Sequence, residues 1–331
     1  MINDIDAVWA ELESKKAADK KDYFKMVCSE LLYRVYVGST GIPSRRYIIF
    51  EIPESEKGQF DAFVEPKGFS LILDDAIVKH SGFLSCVMQA SSCEDNDVFS
   101  VVVSDIIEEI SVINDPETYV KSLRSRIEKW REFFRSGEQK RLSDESVVGL
   151  IGELTFIHQS LDAGIEYVPD IWNGPIKAAQ DFQGKRTAVE IKTVSANALK
   201  SVHISSEIQL DDSNFDHLFL TVYRVERNDE KGLMLPDYIE QTADMMTGSR
   251  KNRFYAKLIC AGYDPQKARD QYIKGYIVRE RENYSIENGF PRIIRNILPK
   301  GVDEVKYRLD LQACNQYKVD FDKIIETLKE N

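Results

Sequence analysis

The chain has 331 residues, 43% of them hydrophobic and 30% charged, enough to bury a substantial core and to divide into two domains, which excludes a disordered tail or a disulfide-stapled miniprotein. Lys and Arg number 44 against 55 Asp and Glu, a net charge of −11, so a uniformly basic nucleic-acid binder is excluded as well. No apolar run approaches the roughly 20 residues of a membrane helix, and the acidic start Met1-Ile2-Asn3-Asp4-Ile5-Asp6 is unlike a signal peptide.

The expectation is a soluble, cytoplasmic protein with no membrane partner. Cys28, Cys86, Cys93, Cys260 and Cys314 are scattered without a C-x-x-C pair, and they read as reduced thiols. The charge is unevenly spread. Residues 1–115 carry 11 Lys and Arg against 21 Asp and Glu, a net of −10, whereas residues 116–331 carry 33 against 34. A polyanionic partner is therefore expected to meet the later part of the chain.

A short polar helix is predicted over about residues 5–20, followed by short strands up to about residue 112. Examples are Tyr47–Phe50, Phe69–Leu73, Phe83–Met88 and Val98–Val103, separated by Pro, Gly, Asp and Ser clusters, the punctuation of an antiparallel sheet. This first domain, residues 1–114, holds no chemical constellation and reads as an accessory or interaction domain. A connector helix is predicted over 115–137. Asp115 caps it, Pro116 suits its first turn, Val120, Leu123, Ile127, Trp130 and Phe134 recur at spacings of three and four, and Gly137 stops it. From Lys121 to Arg141 there are eight Lys and Arg against three Glu, which suits a solvated helix face and phosphate contact equally.

A second domain is expected over 138–331. Ser143 opens a helix, with Asp144 and Glu145 in its first turn, that runs to about Gly164. Glu153 is the one charge between Val147 and Ile157, and a carboxylate in such company needs a hydrogen bond, a cation or a metal if it is buried. Gly149 and Gly152 predict close packing of another backbone.

The stretch that carries chemistry is Asp170-Ile171-Trp172-Asn173-Gly174-Pro175, then Gln180-Asp181-Phe182-Gln183-Gly184-Lys185-Arg186-Thr187, then Ala188-Val189-Glu190-Ile191-Lys192-Thr193-Val194. It reads as a hairpin. Alternation puts Glu190 and Lys192 on one face and Val189, Ile191 and Thr193 on the other, and a turn over Gly184–Arg186 brings Asp181 near Glu190. A hard cation such as Mg²⁺, with Mn²⁺ as substitute, takes oxygen ligands. Asp181, Glu190 and the Ile191 carbonyl supply them, and Glu153 adds a further one if its helix packs on this sheet. With the cation neutralising a phosphate's charge, Lys192 is placed to orient or deprotonate a water. An isolated E-x-K would ordinarily be a cross-strand surface pair.

These residues resemble the PD-(D/E)XK nuclease superfamily, which places a Glu-bearing helix before a hairpin carrying Asp and then E-x-K. More specifically, the chain resembles the bacterial PD-(D/E)XK motif proteins associated with restriction-modification and phage defence. The matching pieces are Gly149–Leu154, Trp172–Pro175, Asp181-Phe182 and Val189–Thr193, with Gln209-Leu210 and Phe290–Ile293 farther on. The resemblance implies a restriction-endonuclease-like α/β core, a mixed central sheet flanked by helices, preceded by the strand-rich α+β domain. It also implies Mg²⁺-dependent cleavage of DNA and defence-system partner proteins, and it brings Gln209 toward the site. The literal Pro-Asp is missing before Asp181, so Asp170, which follows Pro169, is a rival first ligand. Hairpin geometry and the Asp-Phe pair favour Asp181.

His217–Tyr223 reads as the next core strand, and Arg250, Lys251, Arg253 and Lys257 interleave with Phe254 and Tyr255 on a helix. That mix suits nucleic-acid contact and a solvated helix with buried rings equally. No phosphate-binding glycine loop, nucleophile elbow or histidine metal spacing occurs. The expected activity is an endodeoxyribonuclease, and since one site cuts one strand, a homodimer is expected. The rivals are a noncatalytic nuclease-fold adaptor subunit and a hydrolase of small phosphoesters.

Overall fold

Short runs rich in apolar residues punctuate the first third of the chain, and in the computed structural model they form a five-stranded antiparallel sheet. Its strands are β1 (Tyr23–Cys28), β2 (Val35–Ser39), β3 (Arg46–Pro53), β4 (Phe69–Asp74) and β5 (Phe83–Ala90), in the order β1-β2-β3-β5-β4. The structure describes residues 5–16, 23–28, 31–40, 44–60, 69–74, 80–135, 141–174 and 178–330. Helix α1 (Ile5–Lys16) lies on β1 and β2, where the fully buried Trp9 donates its indole N–H to the Gly38 carbonyl at 2.9 Å.

Val98–Val103, expected as a strand, lies instead in helix α2 (Asn96–Ser111). The apolar run continues to Ile110 with nine buried residues, and a run of that length is a helix enclosed on most sides despite its β-branched composition. Helix α3 (Pro116–Arg135) packs on α2. Asp115 caps it by accepting the Thr118 N–H at 2.8 Å. The Arg126 guanidinium makes a two-pronged pair with Asp105, which also accepts from the Trp130 indole at 2.7 Å. The expected stop at Gly137, and the end of the first helix beyond Lys16, lie outside the described residues. These elements and residues Lys251–Ala256 make up one unit; Lys140–Arg250 and Lys257–Asn331 make up the other.

The second unit opens with α4 (Asp144–Asp162), capped by the Ser143 hydroxyl, which accepts from the Ser146 N–H. Its main sheet has the order β12-β10-β9-β7-β6. The strands are β6 (Phe182–Gln183), β7 (Thr187–Ser195), β9 (His217–Arg227), β10 (Tyr276–Ile286) and β12 (Lys318–Val319). The β7–β9 pair is parallel and the others antiparallel, which makes it the expected mixed sheet. A separate ribbon pairs β8 (Ser201–Ile204) with β11 (Tyr307–Asp310). Helices α5 (Leu235–Asp244), α7 (Ala268–Gln271) and α8 (Phe321–Lys329) complete the set, and α6 (Gly248–Cys260) contributes residues to both units.

One face of the main sheet, with Ala188, Leu218, Leu220 and Val222, closes over Val202 and Ile204 of β8 and Leu309 of β11. The other face receives α4, which packs on β7. A Cβ on Gly152 would collide with Thr193 Oγ1 and touch Ile191, so only a glycine lets the helix come this close. Gly149, expected to serve the same end, has open space where its Cβ would be. Gly152→Ala should therefore cost about 1–3 kcal/mol through overpacking, whereas Gly149→Ala should stabilise by up to about 1 kcal/mol through helix propensity. Urea unfolding of the two variants checks the contrast.

Candidate active site

The β6–β7 register pairs Phe182 with Val189 and Gln183 with Ala188, and Gly184 closes the turn by donating to the Thr187 carbonyl at 2.9 Å. Asp181, one residue before the paired segment, accepts the Ile191 N–H on Oδ2 at 2.8 Å. Its own carbonyl accepts the N–H groups of Asn173 and Gly174 at 2.6 and 3.1 Å, and Trp172 forms a β-bridge with Phe182. The Trp-Asn-Gly segment thus lies along the edge of the hairpin, joined to it by a single bridge and these two bonds. From there the fully buried Trp172 donates its indole N–H to Glu153 Oε2 at 2.6 Å. A Cβ on Gly174 would collide with the same oxygen, so the loop covers Glu153 only because residue 174 has no side chain.

Lys192 completes the group. Its ammonium donates to Glu190 Oε1 at 2.8 Å and to Gln209 Oε1 at 3.0 Å. Gln209 Oε1 accepts the Ser205 N–H as well, at 2.8 Å, so Gln209 both caps its own loop and holds the lysine. The loop is fixed in turn by buried Gln180, which donates to the Ile208 carbonyl at 2.7 Å and accepts from Gln183 Nε2 at 2.8 Å. Nothing in the sequence marked Gln180 or the Trp172–Glu153 bond, because both are contacts between segments many residues apart.

Burial dominates the electrostatics. It pushes Glu190 up to about 8, with repulsion from Asp181 adding and Lys192 opposing. Burial also raises Glu153 well above the carboxylate range, followed by repulsion from Asp181, while the Trp172 bond, Glu190 repulsion and Lys192 have smaller effects. Asp181 is raised by burial against the Ile191 N–H and Lys192. Among the described residues three carboxylates thus share one ammonium, and Glu190 Oε2 is buried without a hydrogen-bond partner.

Buried acids in this state require protons or a further cation. Among the described residues no three His, Cys, Asp or Glu side chains stand as a ready cation cage, because Lys192 occupies Glu190 and the indole occupies Glu153. In chemistry the donors fit a hard divalent ion, being carboxylate oxygens with one left unbonded.

The family model DUF4420, "Putative PD-(D/E)XK family member", matches residues 5–312. The chain belongs to this family. No curated protein and no solved structure matches it. Membership in DUF4420 joins the chain to the PD-(D/E)XK nuclease superfamily, whose members generally use divalent metals, and agrees with the restriction-endonuclease-like α/β fold of the second unit. No helix among the described residues is long and apolar enough to cross a membrane.

In this DUF4420 chain Glu153, Asp181, Glu190, Ile191, Lys192 and Gln209 come together, whereas Asp170 is paired with Arg250 at 3.2 Å. The cations of α6 are engaged elsewhere. Arg250 also faces Glu166 at 3.5 Å, Lys257 donates to the Pro169 and Asp170 carbonyls at 2.8 and 2.9 Å, Arg253 pairs with Glu108 at 3.1 Å, and Lys251 too interacts within the protein. Phe254 is buried. These residues serve packing and ion pairing rather than a free cationic surface.

A pH dependence follows. Glu190 binds its proton more tightly in the fold than in the unfolded chain, so its contribution is complete below the ordinary value of 4.5 and is lost as pH rises through about 8. The melting temperature of the metal-free protein should fall across that window. Glu190→Gln should flatten the slope, and millimolar Mg²⁺ should restore the wild-type value at pH 8, as read by calorimetric melting.

Proposed function

We propose that the protein is a Mg²⁺-dependent endonuclease that hydrolyses DNA phosphodiester bonds, working in the cytoplasm as part of a restriction or anti-phage defence system. The observation that carries this reading is the buried trio Glu153, Asp181 and Glu190 with Lys192, among the described residues, as its one balancing ammonium and Glu190 Oε2 unbonded. Asp181, Glu190, Glu153 and the Ile191 carbonyl would hold Mg²⁺, or Mn²⁺ in its place. Bound there, the cation supplies Lewis acidity, offsetting charge on the phosphate and lowering the pKa of water.

The chain's own residues supply the rest. Lys192 is Glu190's counter-charge in the protein alone, and with that role taken over its ammonium is released to the phosphate. An ammonium has three donors, and the one held by Gln209 fixes its position while the others meet a phosphate oxygen and the attacking water. The water oxygen bonds to phosphorus as one P–O ester bond breaks, and the water's proton ends on the leaving oxygen. Double-strand cleavage requires two such sites, hence a homodimer, or two successive visits by one.

Cleavage of plasmid, linear, single-stranded and modified DNA with Mg²⁺ or Mn²⁺ tests the reading. Lys192→Ala should reduce cutting by about 10²–10⁴-fold. Asp181→Asn should abolish it while Asp170→Asn keeps it, and the reverse would transfer the first-ligand role to Asp170. Titration calorimetry should find a Mg²⁺ site that Glu190→Ala removes. A protein that neither cuts nor binds Mg²⁺ would be a nuclease-fold adaptor.

A further inference from the structure

Alternation along the β8–β11 ribbon turns Val202, Ile204 and Leu309 into the core and leaves His203 and Arg308, which are cross-strand partners, exposed. Exposed Ser205 follows β8 and exposed Lys306 precedes β11, so the two flank the same end of the ribbon. That end adjoins the site. The Ser205 N–H and the Lys192 ammonium bond to one and the same oxygen, Gln209 Oε1, at 2.8 and 3.0 Å.

Among the described residues two cations on this face stand without an ion pair, and exposed Asp310 shares the face with them. Some exposed cations of the second unit are paired, as in Arg227–Asp229, Arg269–Asp237 and Arg279–Glu226. Among the described residues neither Lys306 nor Arg308 has an ion pair. Of the nearby acids, Asp310 accepts the Gln312 N–H at 2.9 Å and buried Glu207 accepts the Val305 N–H at 2.9 Å; both bonds hold the carboxylates in place and leave them charged. Asp303 and Glu304 stand in the preceding loop, outside the paired strands.

We infer that the outer face of this ribbon is the track on which duplex DNA lies as it leaves the catalytic site, with Lys306 and Arg308 bound to successive phosphates of one strand. Residues two apart on a strand point the same way and lie about 6.7 Å from one another, close to the spacing of neighbouring phosphates along a nucleic-acid strand. Ser205 and His203 add donors from the facing strand. The ribbon's position makes the order definite: Lys306 binds nearer the scissile bond and Arg308 one nucleotide farther out. This track rests on the nuclease reading above and adds to it the surface that aligns the polymer.

The test uses the full chain carrying Lys192→Ala, so that the DNA stays intact, with Mg²⁺ and fluorescence anisotropy on labelled duplexes. Lys306→Ala with Arg308→Ala should weaken duplex binding about 10- to 100-fold at 0.1 M salt and lower the slope of log affinity against log salt by about 2. Removing Lys323 and Lys329, two exposed cations on α8, should leave both unchanged. The charge-keeping pair Lys306→Arg and Arg308→Lys should bind as the parent does. Equal binding by the alanine pair and its parent would overturn the track while leaving the nuclease standing. Weakening that the charge-keeping pair shares would assign the loss to folding and overturn it too. Preference for single-stranded RNA over duplex would overturn the duplex assignment, and a wild-type protein that neither binds nor cuts DNA would remove the nuclease reading itself.

Discussion

Three carboxylates are held out of water around one ammonium. Two unit charges about 4 Å apart repel by about 4 kcal/mol at an effective dielectric of about 20, and here the repulsions add to the loss of hydration that raises all three acids. The surrounding donors are distributed accordingly: the indole N–H goes to Glu153, the Ile191 N–H to Asp181 and the ammonium to Glu190. Each bond favours the ionised form of its acceptor and so opposes the burial that raises it. They leave Glu190 Oε2 without a partner. A protein built for stability alone would have little use for such a cluster, since apolar replacements of buried ionic groups are often neutral or stabilising.

The backbone is shaped to deliver Glu153 into this cluster. Two glycines act on it from opposite sides. Gly152 lets α4 press against Thr193 on β7, and Gly174 lets the loop after Trp172 pass over the carboxylate. Trp172 then serves two layers of structure at once. Its backbone joins the hairpin through the bridge to Phe182, and its indole reaches across to the helix. Helix, hairpin and loop therefore meet at a single oxygen, Glu153 Oε2, and the geometry of each constrains the others.

Much of this was legible in the sequence because it is local. Period-two alternation and the Gly-Lys-Arg turn place Asp181, Glu190 and Lys192, and the apolar company of Glu153 marks it as unusual. What stayed hidden depends on partners distant along the chain. Gln180 occupies the position where the superfamily name has Pro, and its contribution is a bond to the Ile208 carbonyl that no spacing rule encodes. The cations of α6 were countable, but their acids at Asp170 and Glu108 were not. The strand reading of Val98–Val103 failed because β-branched residues enclosed on most sides form helix as readily as strand. Gly149 and Gly152 look alike in sequence, and only the packed helix separates the one that touches β7 from the one that faces open space.

The two bonds of Lys192 differ in kind, and the difference bears on the proposed exchange of its counter-charge. The bond to Glu190 is ionic and lasts while the carboxylate is charged and lacks another cation. The bond to Gln209 joins the ammonium to a neutral amide, so it is far less sensitive to what neutralises Glu190. Gln209 is itself anchored twice, by the Ser205 N–H on its side chain and by Gln180, which grips the Ile208 carbonyl beside it. An ammonium tethered in this way can give up its anionic partner without leaving its place. The Gln209 bond thus keeps the lysine beside the carboxylates independently of its ionic bond to Glu190, as the proposed role on a phosphate requires.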